Sequence, residues 1–356
     1  MGPRVLLGWS SALGHTKAGH PECAERAVSI ERALRKTDLL RTGLVGELQD
    51  IPAGVRAEEE IGEVIARVHN VGFLRGMQKL SPQGVMQLDT DTYATSTSYE
   101  DLLKSVSVAC ALVDQVVSSD DGLTGFGLVR PPGHHSIPTR PMGFCIFNTI
   151  SCAVRHAMHA HGMKRVCIFD FDVHHGNGTQ DIFFEDKNVL YISSHQEGSF
   201  PGTGKAQETG RGEGVGATLN IPIPSGAGDE AARALFDRLV APAIRRHDPE
   251  IIFVSAGYDA HWKDPQAALQ FQSSTFYHLS KNLKELSEEM ATCRGRCVFV
   301  LEGGYDLNAL GDSVVESLRG MCGLESKPLY DSNALYEEPM AKVEKALENA
   351  YCAFHS

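Results

Sequence analysis

The sequence predicts an α/β fold of three layers, with a mainly parallel central sheet between two layers of helices. Two patterns carry this prediction. Short runs rich in β-branched and aromatic residues alternate with longer segments whose apolar residues recur at helical spacing. Such alternation builds βαβ units, in which each pair of parallel strands needs a crossover on the sheet face. The second pattern is that clusters of acids, histidines and tyrosine follow directly after several of the strands, and sites in open parallel sheets lie beyond the carboxyl ends of the strands. No internal repeat, low-complexity linker or charge block interrupts the 356 residues, so 1–356 read as one domain.

The elements follow in order. Arg4–Trp9 is a strand. Ser11–Glu22 is a loop whose isolated histidines, His15 and His20, are expected at the surface. A helix spans about Glu22–Lys36 and an amphipathic helix Glu58–Asn70. Ser81–Thr97 is polar and turn-rich, with Asp89, Asp91 and Tyr93, and should form part of a site rim; Ser98–Ser118 is helical. Thr124–Val129 is a strand that Pro131 and Pro132 end outright, which holds His134 and His135 on a stiff loop. After Met142–Cys145 a helix runs from about Asn148 to His161.

Val166–Phe169 reads as a buried strand, and the chain then changes abruptly to Asp170, Phe171, Asp172, Val173, His174. Alternation in an extended chain puts Asp170, Asp172 and His174 on one side, Phe171 and Val173 on the other. A short helix, Thr179–Phe184, and a strand, Val189–Ser193, come next, the strand leading into Ser194 and His195. Gly198–Gly216 is rich in glycine, yet Lys205 is followed by Ala206, so the phosphate-loop pattern fails; a mobile surface loop is expected there, apart from Phe200-Pro201-Gly202. Thr218–Ile223 is a strand, and Asp229–Arg246 a helix with Asp229 as its cap. The strand Glu250–Ser255 leads to Asp259, and Ser273–Ala291 is a helix. Cys293 and Cys297 read as a surface turn; the strand Cys297–Leu301 then leads to Glu302-Gly-Gly-Tyr305-Asp306 and a further helix, and Ala341–Ala350 is a closing helix.

Composition narrows the function. A net charge of −12 speaks against direct nucleic-acid binding and suits a cationic substrate or partner. Nine scattered cysteines without framework spacing suggest a reduced, intracellular setting. No apolar run reaches membrane length, the first residues carry too short an apolar segment for a signal peptide, and Leu6 stands where myristoylation needs Ser or Thr. No transit peptide is visible, so plastid, mitochondrion and cytoplasm are all compatible. A homo-oligomer is left open.

Two carboxylates and an imidazole at the end of a buried strand repel one another and lose solvation unless a cation or hydrogen bonds compensate. Capping acids and merely satisfied histidines are the bland account. The other polar strand ends favour a divalent metal: Asp172, His174 and Asp259 give an O/N/O set with positions left for water and substrate. His134 and His135 are candidate bases, with Asp170 and Asn177 as orienting partners, and the Tyr305 hydroxyl can donate to a developing oxyanion. Water activation, base and oxyanion donor together point to hydrolysis of an amide or ester carbonyl.

The motifs RPPGHH, DFDVHHGNGTQ, SFPGTG, SAGYDAHWKDP and LEGGYDL, with GHPE-x-x-x-R at Gly19–Arg26, resemble the zinc-dependent histone deacetylase family in its class II-like members, with the flavour of plant plastid-type and bacterial acetyl-amide hydrolases. The resemblance spans at least His20–Gly320 and implies the arginase–deacetylase fold. It implies one catalytic zinc on Asp172, His174 and Asp259, His135 as general base, His134 with Asp170 as its electrostatic or acid partner, and Tyr305 polarising the acetyl carbonyl. Phe144 and Phe200 would wall a narrow channel, with the Gly143 carbonyl accepting the scissile N–H. A structural potassium would use Asp170 and Ser193 side chains and carbonyls of Asp172, His174 and Ser194. Asn177 stands where other members carry Asp, leaving His135 a neutral partner. Gln266 occupies a rim position where apolar residues suit acyl-lysine and an acid suits acetylpolyamines. The implied substrate is an acetylated protein or peptide, or a small N-acetyl amine, including N-acetyl arylalkylamines. An acetylpolyamine deacetylase is the alternative within this chemistry. Of other classes, a catalytically weak acetyl-amide binding or scaffold protein and an arginase-like hydrolase with paired manganese are the alternatives. Intact ligands, histidines and tyrosine disfavour the first, and too few bridging carboxylates the second.

Overall fold

The computed structural model of the chain describes residues 2–49, 51, 55–80 and 84–356, without the side chains of 55–57; Ser81, Pro82 and Gln83 of the predicted rim stretch lie outside the described residues. Its centre is a parallel sheet of eight strands: β1 (Val5–Ser10) and a short edge strand β2 (Val45–Glu47), then the strands spanning 124–129, 166–170, 189–196, 218–223, 251–256 and 297–301. A two-stranded antiparallel ribbon, β3 (Met86–Gln87) and β4 (Tyr93–Ala94), stands apart from it. With the remaining strands numbered in chain order, β5 (Thr124–Val129), β6 (Val166–Asp170), β7 (Val189–Gln196), β8 (Thr218–Ile223), β9 (Ile251–Ala256) and β10 (Cys297–Leu301), the spatial order is β2-β1-β5-β10-β9-β6-β7-β8.

Alternation along the strands sorts the core into two layers. Val166, Ile168, Ile251, Phe253, Val298 and Val300 pack against α4 (Ser98–Ser118) and α5 (Thr149–Ala160). Their neighbours Cys167, Phe169, Ile252, Val254, Phe299 and Leu301 face the opposite layer, built from α1 (Glu25–Arg35) and the helices of the chain's second half. Strands buried on both faces require the near-continuous apolar runs seen in the sequence. The predicted helix Glu58–Asn70 is α2 (Val55–Ala66), which ends four residues early; a further helix the sequence reading did not include, α3 (Val71–Lys79), starts on Asn70, whose side chain accepts from Gly72 N. Helix α5 begins where expected, with Asn148 accepting from Ser151 N.

Other expectations need correction. The predicted helix Asp229–Arg246 is α7 (Asp229–Leu235), a π-turn over Phe236–Val240, and α8 (Ala241–His247); Pro242 has no N–H to give to a continuous ladder. Asp229 does not cap α7. The Glu338 carboxylate does, accepting from Gly228, Glu230 and Ala231 N–H, while Asp229 accepts from Gln272 and Thr275 at the start of α9 (Ser273–Glu289). Cys293 and Cys297 are fully buried, with Cys297 opening β10. His15 is buried too, bonded to Ser98 Oγ at 2.7 Å and stacked on Tyr93 at 4.4 Å. The glycine-rich loop is tied down: Glu208 accepts from Gly204 and Lys205 N–H, and the Gly204 carbonyl pairs with His195 Nε2. Helices α10 (Leu307–Cys322) and α11 (Met340–His355) complete the chain; α10 starts on the Asp306 side chain, which accepts from Asn308 and Ala309 N–H. The short helix α6 (Asn177–Phe183) lies between β6 and β7.

Candidate active site

Four adjacent central strands, β5, β10, β9 and β6, deliver the polar residues to one edge of the sheet. Asp172 and Asp259 each offer a carboxylate oxygen 3.2 Å from His174 Nδ1, and the three candidate ligand atoms lie within 4.8 Å of one another. Backbone N–H groups aim the acids: Asp172 Oδ2 accepts from Gly303 N at 2.8 Å, and Asp259 Oδ1 from Val173 N at 2.9 Å. The packing leaves no room for side chains behind them, since a Cβ at Gly257 would strike Asp172 and one at Gly303 would strike Asp259. Both carboxylates are buried, and they split: burial opposes charge on both, but His134 and His174 hold Asp172 far below the usual carboxylate range, whereas burial and Asp172 together push Asp259 up. Two oxygens and one imidazole nitrogen converging in this way fit a divalent cation, which would let both acids stay charged.

Two histidines stand beside this triad. His134 Nδ1 pairs with Asp170 Oδ2 at 3.0 Å, and its Nε2 lies 3.8 Å from Asp172 Oδ1. Burial disfavours its charge, yet Asp172, Asp170 and Glu302 outweigh burial and raise its pKa well above normal. His135 Nδ1 lies 2.9 Å from Asn177 Oδ1. The Asn177 amide donates its NH2 to the His135 carbonyl at 3.3 Å, so its oxygen faces the ring, Nδ1 carries the proton, and Nε2 keeps a free lone pair. Burial, then His134, push the His135 pKa well below normal. Tyr305 lies under the Arg26 guanidinium, 4.9 Å from its ring centre.

Aromatic rings wall the approach. Phe200 stands edge-on to His135 at 5.0 Å, and Phe144 edge-on to Tyr305 at 5.5 Å. Gly143, at φ +58°, lies where a Cβ would meet the His135 ring at 2.5 Å and Phe200 at 2.8 Å, so no side chain fits there. The polar stretch predicted as rim holds this turn: Asp91 accepts from Gly143 N and Thr92 from Phe144 N.

A model of the histone deacetylase domain matches residues 20–321. The chain belongs to the histone deacetylase family. It is 45% identical to Histone deacetylase 14, chloroplastic, of Arabidopsis thaliana, over 98% of this chain and 84% of that one. It is 37% identical to a histone deacetylase-like amidohydrolase of Pseudomonas aeruginosa, over 87% of this chain and 81% of that one. The crystal structure of the HDA15 HD domain superposes with a TM-score of 0.85 at 28% identity, covering 99% of this chain and 94% of that one. The expected arginase–deacetylase fold is thereby borne out, and the chain is a hydrolase of acetylated amides. No helix among the described residues is long and apolar enough to cross a membrane.

The structure gathers most of the residues expected of a deacetylase; Gln266 is tied in through its backbone N–H, which donates to Asp264 Oδ1 at 3.0 Å. Ser193 is the register partner of Asp170, and its hydroxyl pairs with His195 Nδ1 at 2.9 Å; Ser194 is buried beside it. Three residues escaped the sequence reading. Glu302 accepts from Gly133 N at 2.6 Å, His134 N at 3.1 Å and Ser255 Oγ at 3.1 Å, bridging β5, β9 and β10, and burial raises its pKa to about 7. Asp264 accepts from Tyr305 N at 2.6 Å and Asp306 N at 3.1 Å, and so fixes the turn that carries the tyrosine. Glu22 holds Arg130 and Arg26 in the buried wall behind that turn. Glu302 had a signal, an acid directly after an apolar strand, as at Asp170; the other two are long-range partners.

Proposed function

We propose that the chain is a zinc-dependent deacetylase of N-acetyl amides, taking acetyl-lysine in proteins or peptides or small N-acetyl amines, in a plastid. The observation that carries this is the buried Asp172–His174–Asp259 cluster next to an imidazole whose Nε2 is free to take a proton. The chloroplastic relative supports the compartment. Asp172, His174 and Asp259 would hold the zinc, which would supply Lewis acidity toward water and the acetyl carbonyl. His135 Nε2 accepts the proton of the attacking water, and the same nitrogen then returns it to the leaving amine. His134, charged beside Asp170, stabilises negative charge as it develops. The Tyr305 hydroxyl donates to the carbonyl oxygen, Phe144 and Phe200 clasp the chain bearing the acetyl group, and the Gly143 carbonyl accepts the scissile N–H. A potassium ion would sit under this layer on the Asp170 and Ser193 side chains with the carbonyls of Asp172, His174 and Ser194.

Because the neutral Asn177 faces His135, the base is stabilised less in its protonated form than a carboxylate partner would allow. Gln266 at the rim carries no charge to select for or against a cationic amine. The test is turnover of the zinc-loaded protein on acetyl-lysine peptides, acetylpolyamines and N-acetyl arylalkylamines. Hydrolysis of any class supports the reading and names the substrate. Silence on the whole panel with zinc bound would sink it in favour of a binding role.

A further inference from the structure

On the layer opposite α10, the C-terminal ends of α4 and α5 meet at a second cluster of candidate ligands, Asp114, His156 and His161. His156 Nε2 lies 2.7 Å and His161 Nε2 2.6 Å from the same oxygen, Asp114 Oδ1. Helical spacing does not produce this pairing. Residues five apart on a continuous helix point about 140° away from each other. Here α5 stops at Ala160; His161 is its C-cap at ψ 0°, Gly162 turns the chain at φ +67°, and the two rings come within 5.7 Å at 83°. The neighbouring Arg155 takes a different acid, Asp186 at 2.6 Å, and leaves Asp114 to the imidazoles.

We propose that Asp114, His156 and His161 form a second metal site, separate from the catalytic centre, which takes zinc or a similar transition ion and clamps α4 to α5. Two imidazole nitrogens and one carboxylate oxygen are borderline-soft donors suited to Zn, Co, Ni or Cu and poor for Mg or Ca. Metal–ligand bonds of about 2.0–2.2 Å place tetrahedral donors roughly 3.3 Å apart. The present 2.6–2.7 Å separations would therefore open slightly. The side chains have room for that, being 47% (Asp114), 18% (His156) and 22% (His161) exposed, and the open side admits water as a further ligand. The net charge of −12 favours cation capture.

The probe is zinc itself. The purified chain is equilibrated in buffered micromolar zinc, and bound metal per chain is measured by atomic emission for wild type, His156→Gln, His161→Gln, and each of these combined with Asp259→Ala. The wild-type chain should hold one zinc more than either single variant, with deacetylation turnover unchanged in His156→Gln and His161→Gln. The same difference of one should persist when Asp259→Ala has emptied the sheet-edge site. Should the histidine variants lose turnover through misfolding, Asp114→Asn, at an exposed position, serves in their place. Equal zinc content across wild type and variants overturns the proposal, whether the chain then holds only the ion at the sheet edge or binds a second one elsewhere.

Discussion

Replacing Glu22 by Gln should destabilise the protein by several kcal/mol, although residue 22 touches no reacting atom. Its carboxylate takes two bonds from Arg130, at 2.6 and 2.7 Å, and one from Arg26 at 3.2 Å, with all three side chains fully buried. An amide of the same shape offers one acceptor and turns two donors toward guanidinium groups that have none to give back. Breaking a buried pair in this way costs about 3–5 kcal/mol. The titration of Glu22 gives a second route to the figure. Burial raises its pKa, but Arg130 and His15 outweigh burial and bring it from 4.5 to about 2. That depression corresponds to roughly 3 kcal/mol at neutral pH. For a chain of this length, at about 2 cal/mol/K per residue, 3–5 kcal/mol shifts the melting midpoint by roughly 4–7 °C. The sign in pH follows: a depressed carboxylate gives its full stability above 4.5 and loses it as pH falls toward about 2. Differential scanning calorimetry at fixed scan rate on wild type and Glu22→Gln should show a gap that is constant from pH 7 to 5 and closes below 4.5. A gap under about 1 °C at pH 7, or one that has not narrowed at pH 3, would refute the assignment of the triad as a stabilising core of this wall.

Tyr305→Phe should lower turnover by about 10²–10³-fold with zinc content unchanged, since a single oxyanion donor carries roughly that much; near-normal turnover would remove the hydroxyl from the mechanism. Asp259→Ala should lose zinc from the sheet edge, and metal analysis of the purified variant decides. Asp264→Ala frees the Tyr305 and Asp306 N–H groups, so kcat should fall about tenfold or more with KM little changed, and Asp264→Asn should restore part of it; a loss confined to KM would contradict the positioning role. Gln266→Glu should tilt preference toward cationic acetylamines, and an unchanged ratio of kcat/KM between acetylpolyamine and acetyl-lysine peptide would deny it a selecting role.

The sheet and the sheet-edge chemistry were readable because both are local in the chain. Val166–Asp170 announces a buried strand by composition, and Asp172 and His174 follow within one extended segment. Asp259 and Tyr305 likewise sit just past β9 and β10. What escaped was decided by partners far along the chain. Glu22 meets Arg130 across 108 residues, and the Glu302 carboxylate meets Gly133 N across 169. His15 reads as a loop histidine until Ser98, 83 residues on, accepts it into the core. The capping of α7 by Glu338 reverses a local propensity for the same reason: Asp229 was the nearer acid, but the start of α9 claims it. The interruption of Asp229–Arg246 had a local signal that the sequence reading passed over, Pro242, which follows the π-turn at Phe236–Val240.

The two buried arginines are held away from the sheet-edge carboxylates. Four buried carboxylates, Asp170, Asp172, Asp259 and Glu302, crowd this edge. An arginine beside them would neutralise the charge permanently and occupy the lone pairs a metal needs. Arg130 and Arg26 are close at hand, yet Glu22 and the carbonyls of Ser11, Ala12, His15, Glu302 and Gly304 take up their donors. The edge carboxylates lean instead on backbone N–H groups from Gly303, Val173 and Gly133 and on histidines, which are weaker and fixed in direction. Dipoles can hold an acid in place without cancelling its charge. By binding both guanidinium groups, Glu22 keeps them off this edge, where Asp172 and Asp259 are aimed by backbone N–H groups instead.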